Sequence, residues 1–142
     1  MKRLLLLTLP LILTLFYAEL SLAEVIVVAN KDNQMRMLTK KQVIDIYMGR
    51  TSLFPNGEAA LPLDQNSNSL IRKIFYQNLV NKTVNEINAY WARLLFSGRA
   101  TPPRMVETAS SVIDIIKNNK SALGYIQLED LTNDVQVISH VD

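Results

Sequence analysis

Apolar residues along the chain fall into two kinds of block. Glu24-Val25-Ile26-Val27-Val28-Ala29 is a continuous run rich in β-branched side chains, the pattern of a strand buried on both faces, as in a parallel sheet. Residues 59–63, 122–126 and 135–139 are shorter runs of the same kind. Pro62 places the second of them at a sheet edge or near a strand end, because proline cannot donate to a ladder. Between these runs the apolar positions recur every three to four residues, which predicts four amphipathic helices. Their inward faces are Val43, Ile44, Tyr47 and Met48; Leu70, Ile71, Ile74, Phe75 and Leu79; Val84, Ile87, Trp91, Leu94 and Leu95; and Val112, Ile113 and Ile116.

Local signals fix several boundaries. Thr39 with Gln42, and Thr83 with Glu86, have the spacing of capping boxes, in which the hydroxyl and the long side chain satisfy each other's backbone N–H. Gly49 stands where a helix C′ residue belongs, and Ser97-Gly98 ends the third helix. Pro55-Asn56-Gly57 and Pro102-Pro103 mark irregular connections. A helix is expected over residues 67–80. Strands alternate with helices, so the fold class is α/β, a mostly parallel sheet flanked by helices, and the length suits one domain.

The first 23 residues stand apart. Met1-Lys2-Arg3 is a short basic start, residues 4–17 are almost entirely apolar, and Ser21 and Ala23 supply small residues before a cleavage point. This is the pattern of a signal peptide cleaved after Ala23. The apolar run is short against the roughly 20 residues of a membrane span, so no stable membrane anchor is expected, and residues 24–142 form the exported domain. The chain has no cysteine. An exported domain without disulfides points to a bacterial periplasm.

Charge is nearly balanced, 15 basic against 13 acidic residues, with two basic and one acidic of these in the leader-like segment. That argues against a nucleic-acid partner, which calls for a basic face. It leaves room for a local anion site built from backbone N–H groups.

Catalytic machinery is poorly supplied. The single histidine, His140, lies two residues from the C-terminus, where a frayed tail is a poor seat for a triad. One histidine and no cysteine give no His/Cys metal set, and no glycine spacing fits a nucleotide loop. Asp45, Asp64, Glu86, Glu107 and Asp114 sit on separate elements. No enzyme activity, catalytic residue, metal or cofactor is expected.

The run Asp64-Gln65-Asn66-Ser67-Asn68-Ser69 remains. It joins an apolar run to a helical one at the carboxyl end of a strand, where α/β proteins gather ligands. The first N–H groups of the helix lack internal partners and carry partial positive charge. Ser67, Asn68 and Ser69 add side-chain donors suited to a tetrahedral oxyanion. Spacing alone favours simple capping by Asn66 or Ser67 over anion binding, since Ser and Asn are the ordinary caps.

The order of motifs resembles a known family. Leu38-Thr39-Lys40-Lys41-Gln42 through Ile46-Tyr47-Met48-Gly49-Arg50 resembles the "LTkkql..IF.Gk" segment of the periplasmic phosphate-binding proteins of ABC importers, and Ala122-Leu123-Gly124-Tyr125-Ile126 resembles their "gaIGYv" strand. The strand-turn-helix 61–75 falls where that family carries its phosphate loop. The resemblance runs over residues 25–139 and implies a single periplasmic-binding-protein-like (type 2) lobe. It also implies phosphate or a related oxyanion as ligand, with Ser67, Asn68, Ser69, Asp64, Gln65, Arg72 and Thr39 as candidate contacts. Two departures stand out. Asn68 replaces the glycine of the "R-x-d-x-S-G-T" loop, and its arginine has no counterpart, leaving Arg72, one turn into the helix, as the candidate to compensate.

Two functions follow as expectations. One is a periplasmic solute-binding-protein-like domain that binds an oxyanion weakly. The other is a non-transport interaction module whose lobe face meets a protein partner or a second copy. For the latter, the loop Arg99-Ala100-Thr101-Pro102-Pro103-Arg104 is the contact or anion-facing surface.

Overall fold

The computed structural model describes residues 23–35 and 37–142. The leader read over residues 1–23 lies, Ala23 apart, outside them. The elements are β1 (Val25–Asn30), α1 (Lys40–Tyr47), β2 (Leu61–Gln65), α2 (Leu70–Val80), α3 (Val84–Phe96), β3 (Arg104–Val106), α4 (Ala109–Lys117), β4 (Ala122–Gln127) and β5 (Val135–Val141).

The five strands form one sheet in the order β3-β2-β4-β1-β5. β2 runs parallel to both β3 and β4, whereas β1 runs antiparallel to both β4 and β5. The sheet is therefore mostly parallel with one reversed inner strand, β1. β1 is buried along its whole length, as its composition predicts, but its polarity differs from the parallel expectation. An all-apolar run reports burial on both faces, and burial does not depend on strand direction.

The two faces are covered unequally. Val25, Val27 and Ala29 point into a core closed by α1, α2 and α3, with Tyr47, Phe75, Tyr76 and Trp91 at its centre. Ile26 and Val28 point the other way, onto Val112, Ile113 and Ile116 of α4. Gly124 lets α4 approach, since a Cβ there would stand 2.5 Å from Val112 Cγ1. Both capping boxes form. Gly49 takes the left-handed conformation expected after α1, with φ of +71°.

Several expectations need correction. β2 covers residues 61–65 rather than 59–63 and is an inner strand, not an edge. Pro62 is tolerated near its start because the β3 pairing begins only at Leu63. α2 starts at Leu70, capped by Ser69 rather than by Asn66 or Ser67. Leu70 and Leu95 are exposed, each lying just off the buried stripe of its helix. β3 has no counterpart in the sequence reading, three residues being too short to show alternation. β5 runs on to Val141, so His140 is not in a frayed tail. It pairs with Ile26, and its Nδ1 lies 3.0 Å from Glu24 Oε1.

Candidate functional site

The polar run 64–69 divides into a buried half and an open half. Asp64 and Gln65 are the last residues of β2 and are buried, while Ser67 and Asn68 are exposed. Asn66 shapes the bend. Its Oδ1 accepts from the Asn68 N–H at 2.9 Å, and its carbonyl accepts from the Ser69 N–H at 3.0 Å, an Asx-type turn. Ser69 then caps α2. Its hydroxyl accepts from the Arg72 N–H at 3.2 Å and donates to Gln65 Oε1 at 2.8 Å. Gln65 is fixed in turn by its Nε2, which donates to the Tyr125 carbonyl at 2.9 Å.

Beneath the turn lies an ion pair. Arg72 Nε donates to both carboxylate oxygens of Asp64 at 3.2 Å, and each residue is only 2% exposed. Tyr76 donates to Asp64 Oδ2 at 2.9 Å, Tyr125 donates to Oδ1, and the Gln65 N–H donates to Oδ1 at 2.8 Å. Arg72 Nη2 donates to Asn88 Oδ1 of α3 at 3.0 Å, and the guanidinium stands 5.3 Å from the Tyr76 ring centre. So many donors offset much of the cost of burying a carboxylate. Burial is the main reason the Tyr47, Tyr76 and Tyr125 hydroxyls stay protonated far above their usual range, and the Asp64 charge pushes the same way.

The candidates named from sequence thus separate. Ser67, Asn68 and Ser69 come together on the turn, with Gln65 behind them. Asp64 and Arg72 come together below it and hold each other rather than facing solvent. Thr39 caps α1 beside β5, where the Leu38 N–H donates to the Ile138 carbonyl at 2.6 Å. It is three strands across the sheet from β2. The N–H groups of Ser67, Leu70 and Ile71 have no hydrogen-bond partner among the described residues. One acidic group stands close, with Asn66 Nδ2 donating to Glu107 Oε2 at 3.2 Å.

Tyr76, Tyr125 and Asn88 were missed as members of this constellation. The helical period held one signal: Arg72 falls on the same stripe as Phe75, Tyr76 and Leu79, all buried, so an inward arginine required a buried acid nearby.

No protein-family model matches the chain, and neither does any curated protein. Solved structures do match its fold. An ABC-type phosphate transport receptor from Vibrio cholerae superposes over 82% of this chain and 46% of its own, with a TM-score of 0.66 at 17% identity. A putative phosphate ABC transporter substrate-binding protein with bound phosphate from Clostridium perfringens gives a TM-score of 0.66 at 16% identity, over 82% of this chain and 44% of its own. PstS from Borrelia burgdorferi gives 0.63 at 15%, over 82% and 47%. The fold is phosphate-binding-protein-like. The chain spans less than half the length of these phosphate-binding proteins, and at such identities the likeness concerns the fold alone. Among the described residues, no helix is long and apolar enough to cross a membrane.

Proposed function

We propose that this is a periplasmic solute-binding-protein-like domain, without enzyme activity, that seats phosphate or a similar oxyanion at the β2–α2 turn. Export to that compartment rests on the leader pattern of residues 1–23. The observation that carries the ligand reading is the exposed turn itself: the N–H groups of Ser67 in the turn and of Leu70 and Ile71 at the head of an 11-residue helix have no hydrogen-bond partner among the described residues. Unpaired N–H groups at a helix N-terminus favour an anion. In this reading Ser67 and Asn68 touch the ligand. Ser69 and Gln65 hold the shape of the turn, and the Asp64–Arg72 pair anchors it from below.

Affinity is expected to be low for two reasons. The guanidinium that would supply a bidentate contact is committed to Asp64, so the strongest class of phosphate contact is missing. The Glu107 carboxylate also stands against the turn, and one like charge at about 4 Å in water costs on the order of 1 kcal/mol. Calorimetric titration of the protein with phosphate is expected to give a Kd near the millimolar range, about −4 kcal/mol. Glu107→Gln should tighten binding several-fold, and Ser67→Ala with Asn68→Ala should weaken it several-fold without loss of stability, since two side-chain donors go while the backbone N–H groups stay. Heat that is unchanged both in Glu107→Gln and in the double variant would place the anion elsewhere.

A further inference from the structure

At the other end of β2 lies a groove of about 680 Å³. We infer that it is a docking site for an extended acidic peptide segment of a partner protein. The groove is independent of the turn, because it opens where β2 begins, at Leu61 and Pro62, and not where it ends. Arg50, Arg99 and Arg104 line it, and no carboxylate does. Arg50 shares Asp45 with Lys41. Arg99 and Arg104 are exposed and form no ion pair or side-chain hydrogen bond among the described residues. A protein of nearly balanced charge has therefore gathered three guanidinium groups around one concavity, two of them unneutralised. Such a patch selects and steers an acidic partner.

The floor and the surroundings favour a peptide over a simple ion. Leu61, Pro62 and Pro102 add apolar surface to its lining, and the volume is of the size that takes several side chains. Arg104 also opens β3, an edge strand whose outer side pairs with nothing among the described residues. An extended segment leaving the groove there meets free main-chain groups, as in strand addition. Just before the arginine loop, Leu95 and Phe96 end α3 in solvent, with Phe96 97% exposed. A bare aromatic three residues before Arg99 is a feature of protein contacts.

The test is fluorescence anisotropy of a labelled peptide of repeating Asp-Glu-Phe, titrated with the protein at low and at physiological salt. A repeating Lys-Arg-Phe peptide and inorganic tripolyphosphate serve as comparisons. The acidic peptide should bind, weaken with salt, and lose at least about tenfold in affinity in Arg99→Glu with Arg104→Glu. Both side chains are exposed, so circular dichroism of that variant should match the parent protein. Ser67→Ala with Asn68→Ala should leave peptide binding intact, which separates this site from the turn. Equal binding of the basic peptide, or affinity retained after charge reversal, would overturn the inference. So would binding of tripolyphosphate without binding of the acidic peptide, which would make the groove a small-anion site.

Discussion

Asp64 and Arg72 are the residues whose placement most changes the chemistry of the site. A charge 2% exposed needs a partner, and each is the other's. The pair converts Arg72 from a ligand contact into a strut between β2, α2 and, through Asn88, α3. Removing one member leaves a buried charge uncompensated, which typically costs about 3–5 kcal/mol, whereas replacing both by apolar residues costs far less. Denaturant unfolding should therefore show a large loss for Asp64→Leu and for Arg72→Met, and a loss in the double variant well below their sum. Additive losses would show that the two charges do not depend on each other. The pair was half legible. Arg72 shares its helical stripe with Phe75, Tyr76 and Leu79, a period the sequence holds although the reading kept Arg72 as a ligand contact, but Asp64 sits in a run of polar residues that reads as turn. Only the tertiary partners Tyr76 and Tyr125 make a strand end of it.

Elements that carry their own periodicity were readable, and those placed by neighbours were not. The four helices, both capping boxes and the Gly49 stop follow from local chemistry. The reversed direction of β1 and the existence of β3 depend on which strands lie alongside. Leu70 shows the same limit on a small scale, since moving the cap from Ser67 to Ser69 takes it off the inward face. Where α1, α2 and β4 meet, Tyr47, Phe75, Tyr76 and Tyr125 form one aromatic cluster, with Phe75 and Tyr125 stacked at 3.9 Å. Burial raises the pKa of the three tyrosines above the ordinary value of about 10. Above that pH the unfolded chain releases these protons and the folded protein keeps them, so the unfolded state binds fewer protons and stability falls as pH rises. Below about pH 10 these groups are protonated in both states and contribute no slope. Alkaline titration should show the tyrosinate absorbance of this cluster appearing together with loss of helical circular dichroism. Ionisation with the helices intact would contradict the packing of this junction.

On the scale of the whole molecule, β2 separates two surfaces of different character. Its carboxyl end carries the polar turn with unpaired N–H groups, and its amino end opens into the arginine groove, about 15 Å away at about 3.3 Å per residue. The fold is shared with phosphate-binding proteins of about twice the span, and in the proposed reading the turn seats the anion with its backbone while Arg72 serves as a strut below it. The measurement that tests this most directly is a ¹H–¹⁵N nuclear magnetic resonance titration with inorganic phosphate. Saturable shifts are expected, centred on the Ser67, Asn68, Leu70 and Ile71 amides, with the groove around Arg99 and Arg104 little changed. Phosphate that moves no amide of the turn, or moves only those of the arginine groove, would contradict it.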